Sequence, residues 1–264
     1  MRMRVLYSTA LLLTEEGKME TLKKGISAVL LAYGEGENLK VLIPMIKEKL
    51  EATGEAYEVV VVDGPKQTDD SAGICSENGA RYYNQELPGF AEAFKKGIRE
   101  AAYRTFLILD ADMSHDPKYI PDIYSKFVGE KADVVIGSRY VKGGVSNDAF
   151  TSKLMSHILN TVYGVVLGIK AKDMSTDYRM YRTVRLKRVV DKLKCKNYDV
   201  LQEVLLYLKL DKLDEEKRFR VREVPITFEK RMYGESKRQL VKFIISYMKS
   251  VIYLTGVRLK HKRS

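Results

Sequence analysis

The chain has 264 residues, of which 45% are hydrophobic and 31% charged. That is enough for one full core, or for a catalytic domain with an appendage, and it excludes a disordered or fibrous chain. The formal net charge of +11 fits nucleic acid, an anionic membrane, phosphorylated substrates or a merely solvated basic surface, and charge alone does not choose among them.

The N-terminus reads Met1-Arg2-Met3-Arg4, then an apolar stretch from Val5 to Leu13. This faintly resembles a signal peptide, but Thr14-Glu15-Glu16-Gly17-Lys18 follows without a small-residue cleavage pattern. An extra strand, or an upstream start, is expected instead, and residues 1–24 are set apart as an N-terminal extension. Strand and helix then alternate. Apolar runs predict strands at Ile26–Tyr33, Tyr57–Asp63, Ala80–Tyr83, Thr105–Asp110 and Ala132–Gly137. Between them, helices are predicted at Glu37–Leu50 (with Pro44 as a possible kink), Ser71–Asn78, Gly89–Ala102 and Ile120–Val128. The pattern argues for a parallel sheet covered on both faces, in which ligands bind beyond the carboxyl ends of the strands. Further on, helices are expected at Thr151–Gly168, Tyr198–Leu208 and Gln239–Leu259, with a strand at Phe219–Phe228. The tail from Arg258 to Arg263 is strongly basic. No run reaches the roughly 18 apolar residues of a spanning helix. Cys75 and Cys195 lie far apart and form no CxxC pair, so a disulfide framework is not expected and a reducing cytoplasm is the default.

Two predicted strands end in acids, at Asp63 and Asp110. The stretch Phe106-Leu107-Ile108-Leu109-Asp110-Ala111-Asp112 is the strongest local signal. Carboxylates at i and i+2 of a strand end can point the same way, and they repel unless a cation joins them. A hard divalent ion, Mg²⁺ or Mn²⁺, satisfies such a pair, and phosphate oxygens can complete its shell. A bare pair of this kind also occurs as a solvated loop that caps a helix.

The surroundings add four ordered motifs: Asp110 to Pro117, Asp133 to Val141 followed by Gly143-Gly144, Glu223 to Phe228, and Arg231-Met232-Tyr233-Gly234-Glu235-Ser236-Lys237. Together they resemble family 2 inverting glycosyltransferases, specifically the branch like dolichyl-phosphate mannose synthase, over about residues 26 to 240. The resemblance implies an α/β GT-A fold, mostly parallel, with helices on both faces and amphipathic helices at the C-terminus. It implies a catalytic domain at 25–237 and an amphipathic helix with basic tail at 238–264. Asp110 and Asp112 would hold the metal and donor diphosphate. Tyr33, Glu35 and Asp63 would contact the nucleoside, and Gly89 would open the helix below the donor. Arg139 would bind an acceptor phosphate with Ser156, and Arg231 and Lys237 would close over the donor diphosphate. Arginine grips phosphate through paired hydrogen bonds, whereas lysine acts as a point charge.

The chain departs from the family pattern in places. Leu31-Ala32-Tyr33-Gly34-Glu35 and Asp63-Gly64-Pro65-Lys66 differ at the nucleoside turn, where one Asp is missing. Asp177 stands where the family has glycine, within Ser175-Thr176-Asp177-Tyr178-Arg179. Ser114 replaces a Gln that serves some relatives as a metal ligand, with His115 as an alternative. Adjacent Gln202-Glu203 stands for a Gln-x-Glu.

The implied reaction is one inverting displacement, in which a polyprenyl or dolichyl phosphate acts as a ready-made anionic nucleophile on a nucleotide-diphosphate hexose. The donor base (GDP or UDP) and the sugar stay open. The helices at Thr151–Gly168 and Gln239–Leu259, with the basic tail, either lie in a membrane interface or pack on the core or another subunit. The first reading places a peripheral enzyme on the cytoplasmic face. Rivals are a non-lipid acceptor (polysaccharide, protein or small molecule), a catalytically degenerate member, and a basic nucleic-acid module. Against the last, RNA-recognition, zinc-finger and basic-zipper signatures are missing, and acids at the strand ends oppose a polyanion.

Overall fold

The computed structural model describes residues 11–13, 19–147, 150–211, 219–229 and 240–263. A hairpin comes first: β1 (Leu11–Leu13) pairs antiparallel with β2 (Met19–Thr21). Alternating elements follow: β3 (Lys23–Leu31), α1 (Gly36–Glu51), β4 (Tyr57–Asp63), α2 (Ser71–Glu77), β5 (Arg81–Asn84), α3 (Phe90–Glu100), β6 (Tyr103–Asp110), α4 (Ile120–Gly129) and β7 (Val134–Ser138). The second half holds β8 (Val145–Ser146), α5 (Phe150–Leu167), β9 (Arg179–Arg182), α6 (Thr183–Val189), α7 (Val200–Leu210), β10 (Val221–Pro225), β11 (Thr227–Phe228) and α8 (Leu240–Arg263).

The central sheet has seven strands in the order β10-β7-β9-β6-β3-β4-β5, parallel throughout except for β9. Successive side chains of its inner strands point to opposite faces, and both faces are covered. In β4, Val60 and Val62 enter one core with α3, α5, α6, α7 and α8. Val59 and Val61 enter the other with α1, α2 and α4. This is the covered, mostly parallel sheet that the alternation of elements predicted, and the α/β GT-A arrangement that the family resemblance implied. It sets Leu31 of β3 opposite both Val62 of β4 and Asp110 of β6. The carboxyl ends of three strands therefore meet along one line.

Helix α1 runs through Pro44, as predicted, with that residue on the exposed side. Two expectations change. The single strand at Phe219–Phe228 is two: β10 pairs with β7 in the main sheet, and β11 pairs with β8 in a two-stranded sheet. The second change is β9, antiparallel between β6 and β7, which Arg-Met-Tyr-Arg does not announce as a central strand. It is tolerated there because Arg179, fully buried, donates to the carbonyls of Met174, Thr176 and Leu201. At the C-terminus, Tyr247 and Leu254 of α8 are buried in the core beneath α5 and α7.

Helix α3 lies so close to the sheet that a Cβ on Gly97 would sit 2.5 Å from Cγ1 of Val29. Gly97→Ala is therefore expected to lose about 1–3 kcal/mol through overpacking, read as a lower urea midpoint with an unchanged slope.

Candidate active site at the carboxyl ends of the strands

Asp63 closes β4 and is almost fully buried. Its Oδ1 accepts from the backbone N–H of Gly64 (2.7 Å) and Gly34 (3.3 Å), and its Oδ2 from the Tyr82 hydroxyl (3.1 Å). The aspartate thus ties the β3–α1 turn to the β4 end. Gly34 meets this with a φ of 66°, a conformation that suits glycine. Tyr33 is exposed, with its ring against Gly64, where a Cβ would come within 3.0 Å. Glu35 precedes α1 and accepts from Asn38 Nδ2 at 2.6 Å. The structure brings these three predicted nucleoside contacts together. It adds Asp69, which the sequence analysis did not single out. Asp69 accepts from the Gly36 N–H (2.7 Å) and from the N–H and hydroxyl of Ser71, binding the start of α1 to that of α2. Gly89 stands just before α3 with a φ of 121°, and the Ala91 N–H donates to Lys196 O.

On the other side of β3, Asp110 ends β6 and Asp112 follows in the turn, where its Oδ1 accepts from the N–H (3.0 Å) and hydroxyl of Ser114. Ser114 is thereby occupied in shaping the turn. His115 is 1% exposed. Its Nδ1 accepts from the Asp110 N–H at 3.2 Å and lies 4.0 Å from Asp110 Oδ2 and 3.7 Å from Asp177 Oδ1. Burial, then the neighbouring Asp177, push the Asp110 carboxyl well above the usual range. Burial pulls the His115 imidazole down, against the charges of Asp110 and Asp112.

Arg139 follows β7 and is 8% exposed. Its Nε and Nη2 donate to Asp173 at 2.8 and 2.9 Å, its backbone N–H to the same carboxylate at 3.0 Å, and Nη2 to the Ser175 hydroxyl at 2.7 Å. The guanidinium also lies 5.1 Å from the Tyr140 ring centroid and 5.2 Å from that of Phe228. Burial alone would raise Asp173; the Arg139 hydrogen bonds and charge reverse that and hold it below the usual carboxylate range. Ser156 lies half-buried on α5. Asp173 was missed in the sequence because it stands alone in a loop, two residues ahead of the Ser175–Arg179 element. Gln202 and Glu203 are structural: Gln202 donates to Met174 O, and Glu203 accepts from the N–H groups of Lys194 and Cys195. Arg231 and Lys237 lie outside the described residues.

A mostly parallel α/β sheet with acids at adjoining strand ends defines the fold class, and comparison with known proteins gives the family. The glycosyl transferase family 2 model matches residues 27–190. The chain belongs to glycosyl transferase family 2. Among curated relatives, it is 33% identical over 239 residues to dolichol-phosphate mannosyltransferase of Pyrococcus furiosus, covering 87% of this chain and 63% of that protein. It is 29% identical over 222 residues to undecaprenyl-phosphate mannosyltransferase of Micrococcus luteus, covering 80% of this chain and 86% of that one. The chain thus spans less than two thirds of the Pyrococcus relative. In fold it matches the crystal structure of glucosyl-3-phosphoglycerate synthase from Mycobacterium tuberculosis, solved with Mn²⁺, UDP and glucosyl-3-phosphoglycerate. That match has a TM-score of 0.64 at 18% identity and covers 88% of this chain and 80% of that one.

Removing Asp173 would strand a buried guanidinium. Asp173→Ala is expected to cost about 3–5 kcal/mol in chemical unfolding. The sign with pH follows from the depressed carboxyl. The contribution is complete above the unfolded value near about 4 and is lost as pH falls through the lower folded value. The stability gap between wild type and Asp173→Asn should therefore shrink in acid.

Proposed function

We propose that this chain transfers a hexose from a nucleotide-diphosphate sugar to a polyprenyl or dolichyl phosphate, with inversion, at the cytoplasmic face of a membrane. The observation that carries the reading is the register that sets Asp110 of β6 beside the end of β3, with Asp63 of β4 on its other side. Nucleoside contacts and diphosphate-binding acids then share one crevice, beyond the carboxyl ends of the strands. The two curated relatives are named as mannosyltransferases of dolichol phosphate and undecaprenyl phosphate. Their names supply the acceptor class and make mannose the first sugar to test.

The residues at the end of β6 fit a divalent ion. Asp110 and Asp177 offer carboxylate oxygens and His115 a ring nitrogen within 4.8 Å of one another, and burial, then the neighbouring Asp177, push the Asp110 carboxyl up. Asp110 and Asp112 would hold Mg²⁺ or Mn²⁺, which when bound would neutralise charge on the leaving diphosphate. Tyr33, Glu35 and Asp63 would seat the nucleoside, with Gly89 below the donor. Arg231 and Lys237 would close on the diphosphate. Arg139, oriented by Asp173, would hold the acceptor phosphate with Ser156, so that its oxygen faces the anomeric carbon opposite the leaving group. The phosphate is already anionic, so no side chain need take a proton from it.

A lipid acceptor calls for contact with the bilayer. No described helix is long and apolar enough to cross a membrane. However, α5 exposes Leu154, Ile158, Val162 and Val165, and α8, packed against it, exposes Met248, Ile252 and Leu259. Lys249 and Lys260 are exposed on the same helix. An apolar stripe with cations on the same helix suits a position in the interface plane of an anionic leaflet.

Two measurements test this. Protein, Mn²⁺, polyprenyl phosphate and a panel of labelled nucleotide sugars should yield label in the organic phase. Asp112→Ala should cut that at least about 100-fold, the scale of a lost charge-stabilising group. Label that stays aqueous with every donor would contradict a lipid acceptor. On anionic vesicles, Val165→Asp with Ile252→Asp should shift the protein from pellet to supernatant.

A further inference from the structure

The Asp110–Asp112 pair does not exhaust the ligands at the end of β6. We propose that His115 and Asp177 bind the divalent ion directly with Asp110, making a mixed nitrogen and oxygen site that loads before the nucleotide arrives. The proposal rests on the metal-dependent reading above and goes further in naming the ligands and the order of binding.

Three lone-pair groups from separate parts of the chain face a common point. They are Asp110 at the strand end, His115 in the following turn, and Asp177 just ahead of β9. One ligand atom from each lies within 4.8 Å of the other two. The imidazole orientation is fixed from behind. Nε2 lies 3.4 Å from Thr176 Oγ1, which accepts the Tyr178 N–H, so Nε2 carries the proton and faces the hydroxyl. Nδ1 is the lone-pair nitrogen, as its contact with the Asp110 N–H also requires, and it faces the two carboxylates. Metal-binding histidines are commonly oriented this way, with the far N–H donated to a neighbouring oxygen. Tyr178 and Phe228 hold the ring at centroid distances of 5.0 and 5.2 Å, and His115 is 1% exposed. An ion entering among the three takes the Nδ1 lone pair from the long contact with the Asp110 amide.

The chemistry of the set points to the ion. Mg²⁺ takes oxygen ligands and retains its waters, whereas an imidazole nitrogen selects for transition metals; Mn²⁺, a transition ion that also suits carboxylate and phosphate oxygens, is the one to set against Mg²⁺. Three protein ligands would hold it without the nucleotide and leave positions for the donor oxygens. Asp177 stands where the family pattern has glycine, so this set belongs to this chain rather than to the motif.

The test uses the full chain and Mn²⁺ alone. Titration followed by the free-Mn²⁺ EPR signal should show one ion bound per chain without nucleotide, and equimolar Mg²⁺ should displace little of it. Electron spin-echo modulation of the bound ion should show a nitrogen coupling that His115→Asn removes. Asp177→Gly, with folding checked by unfolding midpoint, should weaken binding about tenfold or more, since loss of even an outer-shell partner commonly costs that much. The wild-type nitrogen coupling stands whether or not either variant folds. Binding that appears only with UDP or GDP, lacks nitrogen coupling and ignores Asp177→Gly would overturn the proposal and leave Asp110–Asp112 as the metal site. No binding with or without nucleotide would overturn both.

Discussion

Parallel strands that stop together crowd carboxylates from their ends and from the adjoining loops into one place, and burial there makes each negative charge expensive unless a donor or a positive group faces it. The protein meets this constraint in three ways. Asp63 is satisfied by two backbone amides and a tyrosine hydroxyl. Asp173 is satisfied by the paired nitrogens of Arg139. At Asp110 the neighbours are instead Asp112, Asp177 and the lone-pair side of His115, and its carboxyl is pushed up. The first two solutions are complete within the chain and set its geometry. The third is the one that a divalent ion would complete, and so it is where a nucleotide diphosphate would be held.

The rest of the fold serves that line of acids. The parallel register of β3 with β4 and β6 places the acids, and the two-sided core keeps the strands from shifting. The small β8–β11 sheet reaches across to the same region. The Glu229 N–H donates to Ser114 O, and Phe228 lies against both His115 and Arg139. The His115 ring and the Arg139 guanidinium therefore share Phe228, and the turn that carries Asp112 is tied to the next residue, Glu229. A change at Phe228 would disturb two functions at once.

The parallel strands and their closing acids were legible in the sequence, because buried runs such as Phe106 to Leu109 end abruptly at charge. Helices with strong apolar spacing were legible to within a few residues. Strand β9 was not, since its buried arginine is satisfied by carbonyls up to 22 residues away, which no local pattern reveals. The same holds for the bonds of Asp173 with Arg139 and of Asp69 with Gly36, whose partners lie 34 and 33 residues off. Asp177 was visible only as a departure from the family pattern. Its place beside Asp110 and His115 depends on the loop ahead of β9 folding back over the end of β6. The exposed stripe on α5 and α8 was half legible: periodicity showed the apolar residues, but only packing separated Tyr247 and Leu254, which are buried, from Met248 and Ile252, which are not.

The central claim is that the acids at the end of β6 hold an ion that holds the donor diphosphate. A crystal soaked with Mn²⁺ and a nucleotide diphosphate, with data collected at the manganese absorption edge, tests it most directly. The account predicts one anomalous peak within about 2.0–2.3 Å of a carboxylate oxygen of Asp110 or Asp112. The diphosphate should lie on that ion, and the base near Asp63 and Tyr33. A nucleotide bound elsewhere, or bound in this crevice with no anomalous peak beside these acids, would contradict it.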